Sequence, residues 1–426
     1  MIAFGGIIGA GIFVGSGQII ASTGPAAILA YLIAGLLGIA VMRMLTVLSV
    51  DEPTTGSFAR YVTRAFGWIP GFTIGWLYWW LMAVTVGVEC SGAGGIAHIW
   101  LPGVAPWVLS VALMVIFAGA NLAPVRVFAE TQFWLSAIKV VVLAVVLIAG
   151  LLAIFGLLPG TNSPGTANLV DLGGFLPKGG TSVLAAILVA VFSYTGLEMV
   201  SIAAGEARTP RKTVRASMAT VLPTTTILYV GTVLIVVTMV AWNGSATGSS
   251  PFAALLSALG VARAGQIVDV LVFLALVTVL NSSLWAASRM AFFLAGQGDA
   301  PKGMRKLSES AVPTRAVILT AVLGLITVAI QAAAPTGVFL VLVDSSGAVG
   351  LLVWLFIAVA YLKLRGMDGS LGAQRPLIAV LAWLVIVVIG LMLIGMAILP
   401  DTRSQILATL SLGVIIAVIA LWRDTV

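Results

Sequence analysis

The chain has 426 residues, of which 61% are hydrophobic and only 8% charged, with a net charge of +7. A water-soluble domain carries about a quarter charged residues, so a large soluble core is excluded and a polytopic helical membrane protein is expected. One cysteine, Cys90, excludes an internal disulfide and a cysteine cluster, and one histidine, His98, excludes a multi-histidine metal site.

A membrane crossing takes about 20 apolar residues. Such runs lie near 3–20, 26–48, 70–98, 107–123, 131–155, 181–204, 217–241, 266–295, 315–333, 337–362, 377–399 and 404–422, which predicts twelve transmembrane helices. The first run contains GGIIGAGIFVGSG over residues 5–17, six glycines in thirteen positions. It has no basic n-region and no small-residue cleavage site, so it is not read as a signal peptide. So much glycine predicts a helix that breaks within the bilayer. Hydrocarbon does not tolerate free backbone groups, so a broken span must use them on something, and in secondary transporters that is the substrate. The same glycines also suit close helix packing, since Gly11 and Gly15 fit small-xxx-small spacing. The sixth run reads FSYTGLEMVSIAAGE over 192–206 and is interrupted in the same way at Ser193-Tyr194-Thr195-Gly196. Two broken spans five crossings apart have opposite orientations, as an inverted five-plus-five repeat requires. The expected division is therefore 1–155, 181–362 and a two-helix appendix at 377–426. No connecting loop is long enough for a soluble enzyme domain.

With the N-terminus placed in the cytoplasm, seventeen of the twenty-one Lys and Arg residues fall on the cytoplasmic side. The net positive charge is thus a topology signal, not a nucleic-acid patch, and both termini are expected to be cytoplasmic. Phosphate loops, paired catalytic carboxylates and nucleophile elbows are missing from the sequence, so no enzyme chemistry is expected.

The candidate site residues follow from the breaks. The N–H groups of Ile8, Gly9, Ala10 and Gly11 are expected to hold a substrate carboxylate, and carbonyls from Phe192 through Ser193, Tyr194, Thr195 and Gly196 to hold an ammonium. Asn281 in the eighth span offers hydrogen bonds. Asp344 and Ser345 in the tenth offer either a partner for a distal amine or a cap for a helix break. Lys139, the one basic residue in mid-span, either snorkels to the interface or takes the place of an inorganic cation and exchanges a proton during the cycle. Glu89 and Glu198 are intramembrane acids that either titrate or satisfy loose backbone. Trp76, Trp79 and Trp80 form an interface belt or a gate.

Together, GGIIGAGIFVGSG, MRML (42–45) with TGSF (55–58), IGWLYWW (74–80), QFWLSAIK (132–139), FSYTGLEMVSIAAGE with TPRKT (209–213), and NSSLWAASRM (281–290) with GDAP (298–301) carry a resemblance over nearly the whole chain. The chain resembles the bacterial amino-acid transporter family of the amino acid–polyamine–organocation superfamily. The resemblance implies a LeuT-type five-plus-five inverted repeat of twelve helices, with the first and sixth unwound in mid-membrane. It also implies uptake of an amino acid driven by the proton gradient, with no cofactor, no metal and no obligate protein partner, in the bacterial inner membrane. LNSSLWAASRM (280–290), GDAP and VDSSGAVGLLV (343–353) look most like the branch that moves 4-aminobutyrate (GABA); permeases for aromatic residues, proline or alanine are the alternative, and a transporter-like sensor a more distant one. The sequence departs from the family pattern at Thr46-Val47, where Gly-Glu is usual, at Gln132, where an acid is usual, and at Gly87-Val88 before Glu89, where a proline is common. It also opens directly on the first span, so either a trimmed chain or a different inner gate is expected.

Overall fold

The chain is described by a computed structural model over residues 2–9, 11–159, 163–207, 209–334, 338–367 and 376–424, and every regular element among these residues is helical. The first apolar run forms α1 (Ile2–Ile7), a π-helical turn (Gly11–Gly15) and α2 (Ser16–Thr23). Then come α3 (Ala27–Asp51), α4 (Ser57–Phe66), α5 (Trp68–Trp100), α6 (Pro106–Leu122) and α7 (Val125–Ile154). A short α8 (Ala167–Val170) leads to α9 (Gly179–Phe192), α10 (Met199–Gly205) and α11 (Pro210–Met239). After α12 (Ser245–Ser249) and α13 (Pro251–Ala258) come α14 (Ala264–Gln297), α15 (Thr314–Ala333), α16 (Val338–Gly347) and α17 (Val349–Met367). The chain closes with α18 (Pro376–Ile398) and α19 (Pro400–Asp424).

Among the described residues, nine helical stretches are long and apolar enough to cross a membrane, and α6 and α9 are shorter apolar helices. The first of the nine runs from Gly11 to Asp51, and the turn at Gly24 (φ 67°) and Pro25 divides it into α2 and α3. Each of the twelve apolar runs thus has its helix or helix pair. The most apolar 18-residue stretch of α14 is 72% buried and that of α19 only 17%, which separates a central helix from a lipid-facing one. On α7 the exposed side chains Val141, Val145 and Ile148 recur every three or four residues, as do Leu384, Val387, Leu391 and Ile394 on α18. This spacing lays one apolar stripe along each helix toward the acyl chains.

Some stretches expected to be loops carry short helices. In α4, Phe58, Tyr61, Val62 and Ala65 are buried while Arg60 and Arg64 turn outward to Glu52 and Asp51, each at 2.8 Å. The tryptophans of α5 are tied to neighbouring segments by hydrogen bonds. Trp76 donates to the Asp299 carbonyl (3.2 Å), Trp79 to Thr320 Oγ1 (3.3 Å) and Trp80 to Ser345 Oγ (2.8 Å). Just beyond α14, the Asp299 carboxylate accepts from Trp68 Nε1 at 2.6 Å. Burial holds the Asp299 carboxyl above its ordinary range, and the Trp68 bond and nearby Arg423 offset part of that shift.

Candidate substrate site

Two helices end inside the protein and their broken ends meet. α1 stops at Ile7 and the helix resumes at Gly11, while α9 stops at Phe192 and α10 begins at Met199. Ala10 lies outside the described residues. A β-carbon added to Gly11 would sit 2.9 Å from Ser193 Oγ, and one added to Gly196 would sit 3.0 Å from the Gly6 carbonyl oxygen. Gly196 also has φ +98°, a conformation that side-chain-bearing residues rarely adopt. Close approach and backbone turn therefore both demand glycine here.

The backbone groups freed by the first break are largely claimed by the protein. Lys139 on α7 is fully buried, and its Nζ donates to the carbonyls of Gly5 (3.2 Å) and Ile8 (2.5 Å). The snorkelling alternative is therefore excluded. Tyr229 Oη donates to the Ile7 carbonyl at 2.9 Å and Tyr31 Oη to that of Gly11 at 3.4 Å. Terminal helix carbonyls lack intrahelical donors, and at the end of α1 the Lys139 ammonium and the Tyr229 phenol replace them. The expectation that the Ile8 and Gly9 N–H groups stand free is corrected: Ile8 donates to Phe4 O (3.0 Å) and Gly9 turns back on Ile7 O (2.8 Å).

The second break is held by its own side chains. Glu198 is buried, and its two carboxylate oxygens accept from the Gly196 N–H at 3.2 and 3.3 Å, with Trp354 Nε1 at 3.5 Å. That arrangement is the backbone-satisfying alternative for this acid. Thr195 donates its N–H (3.2 Å) and its hydroxyl (2.7 Å) to the Phe192 carbonyl, so this carbonyl is not free for a ligand as expected. The Tyr194 side chain is buried and turned away to α3, its hydroxyl donating to the Tyr31 carbonyl at 3.1 Å.

Other expected contacts are engaged elsewhere. Asn281 accepts from Asn121 Nδ2 (2.8 Å) and donates to Gln132 Oε1 (2.7 Å), a buried network joining α6, α7 and α14. Both ends of its amide are thus occupied by protein. Ser345 accepts from Trp80 and donates to the Leu342 carbonyl at 2.7 Å. The break between α16 and α17 is capped from α19, since Thr409 Oγ1 donates to the carbonyls of Asp344 (3.3 Å) and Ser345 (3.1 Å) and accepts from the Ala348 N–H (3.3 Å). Asp344 itself does not line the cavity described next. Glu89 has one buried oxygen without a hydrogen-bond partner among the described residues, within Coulombic reach of Lys139.

A cavity of about 360 Å³ lies beside the paired breaks. Gly11, Gly15 and Gln18 form one wall, Phe192, Ser193 and Thr195 a second, and Val343, Gly347 and Leu351 a third. Met396, Thr402 and Gln405 close it, so the presumed appendix contributes to the site. Among the described residues the lining contains no Asp, Glu, Lys or Arg. Sequence reasoning missed Gly15 as a wall residue, together with Gln18, Thr402 and Gln405. Residues 11, 15 and 18 are spaced by four and three, and so are 409, 405 and 402, which is the signature of one helix face. The opposite side of the breaks is crossed by polar and aromatic contacts. Arg289 on α14 pairs with Glu206 at 3.1 Å and lies 5.2 Å from the Trp285 ring centroid, and Trp285 stacks on Phe128 at 5.6 Å. Ser201 on α10 bonds Ser49 (2.6 Å) and Ser57 (2.8 Å).

Residues 1–425 match the amino acid permease family. The gamma-aminobutyric acid permease of Bacillus subtilis (strain 168) is 43% identical over 365 residues, covering 86% of this chain and 78% of that protein. The gamma-aminobutyric acid permease of Escherichia coli (strain K12) is 40% identical, covering 88% and 80% respectively. The aromatic amino acid transport protein AroP of Corynebacterium glutamicum is 38% identical, covering 86% and 80%. With broken helices meeting at an uncharged cavity and this likeness along most of its length, the chain is a multi-pass membrane protein of the amino acid permease family.

Proposed function

We propose that the protein is a proton-coupled importer of a small zwitterion, with GABA as its substrate, working by alternating access of two inverted repeats over 1–155 and 181–362. The observation that carries the coupling is the buried Lys139 ammonium bonded to the Gly5 and Ile8 carbonyls. An ammonium holds the broken helix where an inorganic cation otherwise would, and it can leave that state by giving up a proton. The substrate carboxylate meets the opening N–H groups of the Gly11 turn, which have no intrahelical partner, and the amine meets the carbonyls of Ser193 and Thr195. A cavity wall without charged side chains suits a ligand of no net charge. The likeness to two GABA permeases supports the substrate, while that to AroP keeps an aromatic α-amino acid as the second reading.

The Arg289–Glu206 end faces the cytoplasm of a bacterial inner membrane and the cavity faces outward, with both termini inside. This orientation rests on the distribution of basic residues. The test is uptake of labelled GABA into proteoliposomes under an imposed inward proton gradient, with unlabelled amino acids as competitors. Accumulation that follows the gradient and is competed best by GABA is expected. Uptake blind to the gradient removes the coupling, and stronger competition by phenylalanine or tyrosine moves the substrate to the aromatic class.

A further inference from the structure

A second cavity lies away from the substrate site, between α3 and α11. It measures about 230 Å³ and is lined by Ile39, Met42, Arg43, Thr46, Arg215, Met218, Ala219, Leu222 and Pro223. Pro223 stands inside α11 and has no N–H for the Ala219 carbonyl four residues before it, which loosens the helix at the groove. Apart from Thr46, whose hydroxyl is turned back to the Met42 carbonyl at 2.7 Å, the other walls are apolar, and the two arginines are exposed.

Their charge has no answer from the protein among the described residues. The acids nearest in sequence already have partners: Asp51 pairs with Arg64, Glu52 with Arg60 and Arg64, and Glu206 with Arg289. Arg211 and Lys212 are exposed one turn before Arg215 and extend the positive surface. An apolar slot between membrane-spanning helices, with guanidinium groups and no acid in its lining, is complementary to one kind of molecule. Acyl chains fill the slot and a phosphate meets the cations.

We infer that the α3–α11 groove is a binding site for an anionic phospholipid, held by Arg43 and Arg215 and by the apolar walls between them. The site rests on the proposed orientation only for the leaflet that supplies the lipid, the cytoplasmic one. It does not depend on the identity of the transported substrate.

The test is native mass spectrometry of the full chain in mild detergent, titrated with phosphatidylglycerol or phosphatidylcholine. Preferential retention of phosphatidylglycerol is expected. Removing both charges in R43Q/R215Q is expected to weaken it about thirtyfold, the equivalent of ~2 kcal/mol for two cations at a membrane surface. R43K/R215K is expected to retain most of the binding. A219W leaves both arginines in place and fills the groove from an exposed position, so it too is expected to lose the lipid. K302Q/R305Q, basic residues away from the groove, is expected to leave binding unchanged. Equal retention of the two lipids, or undiminished phosphatidylglycerol binding in R43Q/R215Q or A219W, overturns the site. Displacement by millimolar inorganic phosphate overturns the lipid assignment in favour of a free-anion site. Because the readout is lipid occupancy, a failure here is distinct from a failure of the transport reading.

Discussion

Replacing Lys139 by methionine removes a buried ammonium while keeping an unbranched chain of similar reach. The structure gives that ammonium two acceptors, the carbonyls of Gly5 and Ile8. Hydrogen bonds from a charged donor contribute about 1.5–3 kcal/mol each. Removing the ammonium also relieves the cost of burying it, which offsets part of the loss, and bonds between helices in membranes run weaker than their isolated values. A net loss of about 2 kcal/mol follows, close to thirtyfold in the equilibrium that these two bonds hold. K139M is therefore expected to lower the detergent-extracted protein's unfolding temperature by a few degrees. In proteoliposomes it is expected to lose gradient-driven accumulation while retaining some exchange of labelled for unlabelled substrate. Both readouts are needed, because a destabilised but still coupled transporter would show only the first. If K139M accumulates substrate in proportion to an imposed proton gradient, as the unmodified chain is expected to, the coupling role of this lysine is wrong.

Gly15 has no heavy atom within 4 Å of an added β-carbon and lines the cavity, so G15A is expected to fold and bind normally. G15L is expected to fold with at least tenfold weaker substrate binding by scintillation proximity; unchanged affinity would remove this cavity from the substrate path. Gln405 lines the same cavity from α19, and Q405A is expected to alter the ranking of competing amino acids without abolishing uptake; an unchanged ranking refutes a contact with substrate. Burial raises the Asp299 carboxyl above its ordinary value of 3.8, so the folded state binds the proton more tightly than the unfolded one. The stability this contributes is present below that value and lost as pH rises through the shifted one. D299N keeps an oxygen acceptor for Trp68 and is expected to flatten that acid-side dependence of the unfolding temperature; a slope equal to the unmodified chain's would refute the assignment.

The positions of the breaks were legible in the sequence because their composition conflicts with their surroundings. Glycines at 5, 6, 9 and 11 and the Ser-Tyr-Thr-Gly run at 193–196 interrupt otherwise apolar spans, and a helix buried in hydrocarbon gives up its bonding only where something replaces it. Which polar atoms remain for a ligand was not legible. Asn281 and Ser345 were expected at the site because their side chains offer hydrogen bonds within a span. In both cases a neighbouring helix supplies the partner, from Asn121 and Gln132 or from Trp80. One-dimensional spacing cannot distinguish a protein partner from a substrate. The α19 face of Thr402, Gln405 and Thr409 was overlooked for a related reason. Its helix was assigned to an appendix, and only packing against α16 brings it to the cavity.

The two buried charges at the breaks act on opposite poles of the backbone. Lys139 donates to carbonyls at the end of α1, while Glu198 accepts from the N–H of Gly196 at the start of the second break's return to helix. Each charge thus replaces what the missing helical turn would have supplied. The two substitutions that neutralise them are not equivalent. Glutamine at 198 keeps a carbonyl oxygen that can accept from Gly196, so only the charge is lost; methionine at 139 leaves both carbonyls without their donor. E198Q is accordingly expected to change stability by less than about 1 kcal/mol, well below the loss in K139M, and to retain gradient-driven uptake. Thermal unfolding and transport of the two variants side by side decide this. If E198Q is the one that loses the gradient response, the acid, and not the lysine, carries the coupled proton; if it is only the more destabilised, the charge on Glu198 and not its hydrogen bond holds the second break.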